Sequence, residues 1–410
     1  MRRTALFPLA FVAVVACSSS SSPGAAGDAG PTPDAFKHDL VFTMKATIPS
    51  GKELHLCQLV QVPAGPDINI VGFAHQYTPG SHHFLLYQTT LTSIPSDLTG
   101  QYDCTTGGEP IMASSRGIIY GAQVPTGSST FPEGVAVTVK AGAVLIMNTH
   151  YLNAGKKDID TQVQVGLDLT TADRVKTPGG FFIFYDPFID VPAHGKASSG
   201  GSCAIPSDVN VVSAFSHYHY RGTGMQVWND PDATTKAATP FYTTDDWEHP
   251  AGFKGPTTWK GGSRIRFQCD YDNTSSGDEI MQGPNASTSE MCVLAGLYYP
   301  KQDEAFENCH RYSVSGFGAT NCSDTATCLQ KCPAADQPKY TPTGAVVGPC
   351  WEHCVAAACD GAVDNVFPLF GCAGASCSVE CGKSSGDCIA CLASKCDKEL
   401  TSCQNQVCAK

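Results

Sequence analysis

Histidines recur in this sequence at spacings that suit metal binding. Of the 12 histidines, His217 and His219 are two residues apart, and His82 and His83 are adjacent. Alternate residues of a strand face the same side, so two imidazoles at i and i+2 can bind one metal ion. Adjacent residues point to opposite faces, so His82 and His83 can share an ion only at a strand end, at a bulge, or through different ring nitrogens. His150 is a further candidate ligand.

Met291 indicates which metal these histidines would suit. A thioether is a poor ligand for zinc or calcium and a good one for Cu(I), so imidazoles combined with one methionine favour copper that passes through its reduced state. Each feature alone has a simpler interpretation: an exposed histidine pair, a hydrogen-bonded half-buried histidine, or a methionine packed in a core. The combination of segments therefore carries more weight than any one of them.

Strands are expected to position these side chains. The segments 135–139, 144–152 and 209–220 alternate apolar and polar residues with the period of two that is typical of half-buried strands. The 40 glycines and 27 prolines favour short strands joined by many turns. No run of ten or more residues before the cysteine-rich tail has helical periodicity. We therefore predict a mainly β body of the sandwich type.

Charge and cysteine content limit the partners and the compartment. The 410 residues include 26 Lys and Arg against 38 Asp and Glu, a formal charge of −12, which does not suit binding to a phosphate backbone. Nucleic acid is therefore excluded as the expected partner. The 21 cysteines indicate an oxidising compartment.

The N-terminus predicts export. Two arginines precede the apolar run 5–16, which is too short to cross a bilayer as a helix and is typical of a signal peptide. The run ends in Val-Val-Ala-Cys, which resembles the lipobox of bacterial lipoproteins, so we predict a lipoprotein signal peptide over residues 1–17, in which Cys17 is lipidated and becomes the first mature residue. An ordinary cleaved signal peptide is the alternative. Residues 18–37, rich in Ser, Gly and Pro, would form a flexible tether, which places the protein at the outer membrane or cell surface.

Fourteen cysteines crowd the last ninety residues, from Cys322 to Cys408. Several are spaced i, i+4, which puts both members on one face of a helix: Cys328 and Cys332, Cys350 and Cys354, Cys377 and Cys381. We predict short helices stapled side by side by seven disulfides, with a zinc or iron–sulfur site as the alternative. This tail would serve interaction at the cell surface or protection.

Four segments resemble, in order and approximate spacing, the copper motifs of the copper type II, ascorbate-dependent monooxygenases, the family of peptidylglycine α-hydroxylating monooxygenase and dopamine β-monooxygenase. They are VGFAHQYTPGSHHFLLY at 71–87, NTHY at 148–151, FSHYHY at 215–220 and STSEMC at 287–292. The resemblance spans about residues 40–305. It implies two antiparallel, jelly-roll-like β-sandwich domains, residues 38–172 and 173–308, ahead of a cysteine-rich tail at 309–410.

The resemblance implies two copper ions with different roles. His82, His83 and His150 would hold one, which takes electrons singly from ascorbate or a similar reductant. The catalytic ion would be held by His217, His219 and Met291, and would bind O2 and insert oxygen into a C–H bond of the substrate.

The resemblance also implies three disulfides, each next to a ligand-bearing strand. They are Cys57 with Cys104, Cys203 with Cys309, and Cys269 with Cys292.

The sequence departs from the peptide-amidating members of the family at the substrate. Their polar anchors of the substrate carboxylate are replaced here by Phe215, Val293 and Ala295, and Phe84 replaces the methionine usual after the paired histidines. We therefore expect an apolar or neutral small-molecule substrate. Two alternatives stay open: a non-catalytic copper-binding or adhesive surface lipoprotein, and a zinc hydrolase, which would need a carboxylate base and would have no use for Met291.

Overall fold

Antiparallel strands dominate the chain up to about residue 309. A computed structural model describes residues 36–104, 109–112, 114–309, 318–337, 339–341 and 344–408. It confirms the predicted fold class, which is mainly β with a helical, disulfide-rich C-terminal region. Cys17 and the predicted signal peptide lie outside the described residues, as does most of the predicted tether.

The first half of the β region forms two sheets. Its elements are β1 (Leu40–Ile48), β2 (Lys52–Gln61), β3 (Ile68–Tyr77), β4 (Ser81–Thr89), β5 (Gln101–Asp103), α1 (Glu109–Met112), β6 (Ser115–Ala122), β7 (Thr126–Thr130), β8 (Val135–Val139), β9 (Val144–Asn153), β10 (Ile159–Thr170) and β11 (Thr177–Pro178). One sheet has the order β1-β10-β3-β8-β11, with β7 also paired to β3, and the other has the order β5-β2-β9-β4-β6. Alternate residues of both sheets, such as Phe73, Leu86 and Tyr151, fill the core between them.

The second half also forms two main sheets. Its elements are β12 (Gly180–Tyr185), β13 (Asp190–Val191), β14 (Lys196–Ala204), β15 (Val209–His217), β16 (Gly222–Asp230), β17 (Tyr242–Thr244), β18 (Phe253–Trp259), β19 (Arg264–Asp272), β20 (Ile280–Met281), β21 (Val293–Tyr299), α2 (Glu304–Glu307) and β22 (Asn308–Cys309). The sheets have the orders β18-β15-β21-β12-β22 and β14-β19-β16-β17, and β13 pairs with β20. Trp259, Phe267 and Leu294 are buried in the core of this half.

One sheet is shared by both cores. Phe181, Val293 and Leu297 on β12 and β21 pack into the first-half core, whereas Phe182, Leu294 and Tyr298 of the same strands pack into the second. Burial on both faces explains why β21 reads as the nearly continuous apolar run VLAGLYY. The described residues from Lys37 onward form a single unit, so the predicted domain limits at 172 and 308 stay a prediction.

The tail is helical, as predicted from the cysteine spacing. Its elements are α3 (Cys322–Leu329), β23 (Lys339–Thr341), β24 (Gly344–Val346), α4 (Pro349–Ala356), α5 (Ala362–Ser376), α6 (Ser378–Cys381), α7 (Ser385–Lys395) and α8 (Asp397–Asn405). Cys328–Cys354 joins α3 to α4, and Cys381–Cys388 joins α6 to α7. Cys332–Cys350 joins the turn after α3 to α4, and Cys377–Cys391 joins the residue before α6 to α7. Three more complete the predicted seven: Cys322–Cys403, Cys359–Cys408 and Cys372–Cys396.

The disulfides indicate where the protein resides. All twenty cysteines of the described residues are paired, which is typical of an exported protein and not of a reducing cytosol. Among the described residues, no helix is both long enough and apolar enough to cross a membrane.

Candidate metal centre

Three histidines form a row across the sheet of β2, β9 and β4. His55 lies opposite His150, and His150 lies opposite His83 on its other side. Residues opposite one another in a ladder share a face of the sheet. The ring centroids of His55 and His150 are 3.9 Å apart and the rings are nearly parallel, and those of His83 and His150 are 5.1 Å apart. Strand register thus gathers imidazoles that are far apart in sequence.

His82 joins this row through an irregularity in β4. The register of β4 against β9 shifts between Ser81 and His83, which is a bulge at His82. A bulge is one of the conditions under which adjacent histidines can face the same site. The His82 ring lies 5.5 Å from that of His83 and 5.2 Å from that of His150, centroid to centroid.

The second half contributes His217, at the end of β15, and His219, in the loop that follows. Glu290 holds this loop, because its carboxylate accepts the backbone N–H groups of His219 and Arg221 at 2.9 and 2.7 Å. Burial raises the pKa of Glu290 to about 7. The centroids of His217 and His219 are 5.0 Å apart, so the i, i+2 pair converges as the spacing predicts.

The histidines of the two halves form one cluster. The His217 centroid lies 5.8 Å from that of His82 and 4.7 Å from that of His83, and the second distance is shorter than the 5.0 Å between His217 and His219. The sequence predicts two separate centres, and the structure differs in this respect because the face of β15 that carries His217 lies against the first half. The number of bound ions stays a prediction.

Five imidazole nitrogens of this cluster are buried without a hydrogen-bond partner among the described residues. They are Nε2 of His55, His82, His217 and His219, and Nδ1 of His150. A single buried polar atom left unpaired costs about 1–3 kcal/mol, and such atoms are rare in folded proteins. Five in one place therefore need a common explanation, and metal binding at this cluster is one that would give such nitrogens a partner.

Hydrogen bonds on the other ring nitrogens fix three of these tautomers. The Nδ1–H of His219 donates to the carbonyl of Ser289 at 3.0 Å, and the Nδ1–H of His217 donates to Oε1 of Gln123 at 2.6 Å. Gln123 is oriented by its own amide, which donates to the carbonyl of Trp247 at 2.5 Å. A nitrogen that donates leaves the opposite nitrogen with a free lone pair, as in most histidines that bind metals.

The third fixed tautomer is that of His150, whose Nε2–H donates to Oε1 of Glu53 at 2.7 Å. His150 therefore presents Nδ1, whereas His217 and His219 present Nε2. Burial lowers the pKa of His82 to about 4 and that of His219 to about 3, so both rings are neutral at pH 7. Neutral imidazoles with free lone pairs are the form that binds a metal.

Met291 lies where β21 begins, next to a disulfide-bonded cysteine. Its side chain is half-buried and packs against the first-half core, and its carbonyl accepts the hydroxyl of Tyr271 at 2.9 Å. A thioether ligand from Met291 stays a prediction.

The three disulfides implied by the resemblance are all present: Cys57–Cys104, Cys203–Cys309 and Cys269–Cys292. The first begins two residues after His55 on the same strand, so it holds β2 next to the histidine row. The third fixes the residue that follows Met291.

The predicted substrate wall divides into an accessible and a buried part. Val293 and Ala295 are buried in the first-half core. Phe215 lines a cavity of about 190 Å³, and Gln123, Phe181 and Phe253 also contribute to its wall. No aspartate, glutamate, lysine or arginine is among the described residues that line this cavity. Its lining suits a neutral molecule.

Sequence reasoning missed two residues of the cluster, Glu53 and His55. Both alternate along β2 with apolar residues, and Cys57 follows with the same period. This run of Glu, His and Cys at every second position is a signal that could have found them. Their significance depends on β2 lying beside β9, which local spacing does not reveal.

No protein-family model matches this chain, and no curated protein matches it. Among solved structures, the chain is similar to the PBSX exported protein XepA, with 8% identity over 64% of this chain and 87% of that one, at a TM-score of 0.18. It is also similar to the major capsid protein P2 from bacteriophage PM2, with 10% identity over 63% of this chain and 98% of that one, at a TM-score of 0.25. At such identities and TM-scores, these two likenesses carry no argument about function.

Proposed function

We propose that this protein is an exported copper-dependent monooxygenase that hydroxylates a C–H bond of a neutral, apolar small molecule, with O2 and ascorbate or a similar one-electron reductant. The observation that carries the proposal is the set of five buried imidazole nitrogens without partners. They come from four strands or strand ends, and four of the five belong to the motifs that resemble the copper type II monooxygenases.

The donor set fits copper. His82, His83 and His150 would hold one ion, and His217, His219 and Met291 a second. Neutral imidazoles together with a thioether stabilise Cu(I), whereas structural zinc sites rarely use methionine. Bound copper would supply one-electron redox chemistry and a position for dioxygen.

The protein's own residues prepare the site. Gln123, Ser289 and Glu53 each accept one imidazole N–H, which directs the free lone pair of His217, His219 or His150 into the cluster. Trp247 packs edge-on against His82, with centroids 5.3 Å apart, and thus helps to exclude water.

The uncharged cavity supports the neutral substrate. Phe215 and His217 are alternate residues of β15 and share a face, and Gln123 both lines the cavity and binds His217. A substrate carboxylate would find no cationic side chain among the described lining residues. An apolar molecule would instead gain from burial against Phe181 and Phe253.

Copper loading of the purified protein, followed by ascorbate-driven oxygen consumption, tests the proposal. Wild type should bind copper and consume oxygen, and Met291→Ile should fold and lose the consumption. Met225→Ile is the matched control, since Met225 is a fully buried core methionine of the second half. Each exchange nearly conserves volume and should cost less than about 1.5 kcal/mol of stability. Preferential retention of zinc would instead favour the hydrolase.

A non-catalytic copper-binding or adhesive lipoprotein is the second candidate. The burial of His150 and His219, both at 0% exposure, favours it, since a closed cluster suits storage better than turnover. Copper binding without oxygen consumption in the experiment above would support this function.

In either case we propose that Cys17 anchors the protein to a membrane through a lipid. Incorporation of radiolabelled palmitate into wild type, and its loss in Cys17→Ala, would test the anchor.

A further inference from the structure

We propose that Glu53 is a positioning residue of the histidine cluster, which sets the tautomer of His150 and fastens the segment 285–287 to β2. The inference rests on the proposed function, since it deepens the account of the same site. Oε1 of Glu53 accepts the Nε2–H of His150 and the backbone N–H of Ala286, each at 2.7 Å. Oε2 accepts the hydroxyl of Ser287 at 2.9 Å.

Two residues of strand β2 contact the imidazole ring of His150, one at its Nε2 edge and the other on its face. The carboxylate of Glu53 fixes the Nε2 edge, so that Nδ1, which is buried and without a partner, is the nitrogen left to bind a metal. His55 stacks on the ring face with an interplanar angle of 18°. With both constraints in place, the ring can neither flip nor tilt without losing a contact.

Glu53 acts through His150 and not as a ligand. Ligand atoms of Glu53, His55 and His150 lie within 4.8 Å of one another. However, the Glu53 oxygens already accept three hydrogen bonds, which engage three of the roughly four lone-pair sites of the carboxylate. A carboxylate that accepts the distal N–H of a metal-binding histidine orients the ring and raises its basicity.

The same carboxylate connects the two halves of the cluster. Ala286 and Ser287 lie just before Ser289, whose carbonyl accepts the Nδ1–H of His219. Next comes Glu290, whose carboxylate accepts the backbone N–H of His219. One side chain of the first half is thus hydrogen-bonded to the segment that positions a histidine of the second. Loss of Glu53 should weaken metal binding by histidines of both halves.

The first test uses the metal-free full chain. Nitrogen-15 NMR of the imidazoles, with the His150 signal assigned through His150→Gln, should find His150 protonated at Nε2 in wild type. Glu53→Ala should give a mixture of tautomers or the Nδ1–H form. A wild-type His150 protonated at Nδ1 would overturn the inference, whether or not the protein binds copper.

The second test measures Cu(I) affinity by competition with a chromophoric chelator, together with the electron paramagnetic resonance spectrum of the Cu(II) form. Glu53→Gln keeps the shape and removes the charge, and should lower the affinity about 10- to 100-fold and change the spectrum. Ser287→Ala, which leaves the bond to His150 intact, should have a smaller effect. Glu307→Gln is the control, since Glu307 is a half-buried carboxylate that accepts the Tyr298 hydroxyl.

The outcomes separate this inference from the proposed function. If wild type binds copper and Glu53→Gln has the same affinity and spectrum, the positioning role is wrong and the copper proposal stands. If wild type binds no copper while His150 still shows the Glu53-dependent tautomer, the proposed function fails and the positioning role remains.

Discussion

The ring centroids of His83 and His217 lie 4.7 Å apart, although the two residues belong to different halves of the β region. Neither half alone would complete the cluster, because each contributes some of its imidazoles. Assembly of the site is therefore tied to the packing of β12, β15 and β21 against the first half. The protein accepts unpaired buried nitrogens there, which is a stability cost typical of a functional site.

Copper should stabilise wild type more than His217→Leu. The substitution removes a buried unpaired nitrogen, which offsets part of the loss of the hydrogen bond to Gln123, so the metal-free variant should melt no more than a few degrees below wild type. A ligand at 100 times its dissociation constant adds about 2.7 kcal/mol to the free energy of unfolding. Differential scanning calorimetry with and without copper should find a rise in Tm for wild type and a smaller rise for the variant, which keeps the ligands of the other proposed ion.

The control for this measurement is His194→Asn. His194 is exposed and has a positive φ of 55°, a conformation that asparagine tolerates. An equal rise in Tm for wild type and His217→Leu would contradict a role for His217 in metal binding.

The sequence predicts the features of the site that depend on residues close together in the chain. It does not predict the features that depend on the register between strands. The spacing of His217 and His219, the need for a bulge at His82 and the i, i+4 cysteines of the tail depend on residues a few positions apart. The convergence of His55, His150 and His83 depends on how three strands align. No period in the sequence encodes that alignment.

The resemblance supplied what spacing could not, and the structure differs from what it implied in one respect. It paired Cys57 with Cys104 across 47 residues, a pairing that cysteine counts leave open. It also implied two separate centres, whereas the histidines lie in one cluster. The distance between the two sets of histidines depends on how the sheets pack. That packing follows from the sheet shared by both cores, and no single motif indicates it.

Buried acids at the contact between α4 and the second half should lower the free energy of unfolding as pH rises from about 6.5 to 8, above the range in which the buried histidines act in the opposite direction. Burial, and then the charges of Asp190 and Asp186, raise the pKa of Glu352 to about 8. Burial likewise raises the pKa of Asp186 to about 7. The unfolded chain ionises these groups near pH 4, so the folded protein holds more protons between about pH 4 and 8. Below about pH 4 these two groups make their full contribution to the free energy of unfolding. That contribution is lost as pH rises from about 4 to 8.

Glu352→Gln removes one of these ionisations and should flatten the fall. Its Tm should exceed that of wild type by a few degrees at pH 8.5 and match it near pH 5. Glu279 and His353 also face this group, and His353 pairs with Asp190 at 2.7 Å. Glu133→Gln, at an exposed carboxylate, is the control. A Tm difference that does not depend on pH would show that packing, and not charge, separates the variant from wild type.

Loss of the Cys57–Cys104 bridge should weaken both the fold and the metal site. Closing a loop of 47 residues stabilises the folded state by about 4 kcal/mol in the chain-entropy view. Because Cys57 lies on the same face of β2 as His55, the double variant to serine should also lower copper affinity. Urea unfolding and chelator competition measure the two effects. The matched control removes Cys372–Cys396 in the tail, and should lower stability without changing copper affinity.

Gly121 on β6 keeps the uncharged cavity open. A Cβ at this position would lie 2.7 Å from Cδ2 of Leu85, 3.3 Å from the ring of Phe215 and 3.5 Å from that of Phe181. Leu85 can move, since the near atom is the end of a flexible side chain, so Gly121→Val should fold with its added methyl groups in the cavity. We expect KM for the neutral substrate, once it is identified by its gain of one oxygen atom, to rise about 10-fold or more.

Copper affinity should not change in Gly121→Val, because none of the clustered histidines is among the described residues that line the cavity. Gly374→Ala is the control, since an added Cβ there meets nothing within 4 Å and alanine favours the α5 helix. A variant that keeps wild-type KM would place the substrate elsewhere. If Gly121→Val lowers copper affinity together with activity, the cavity and the histidines cannot be altered separately.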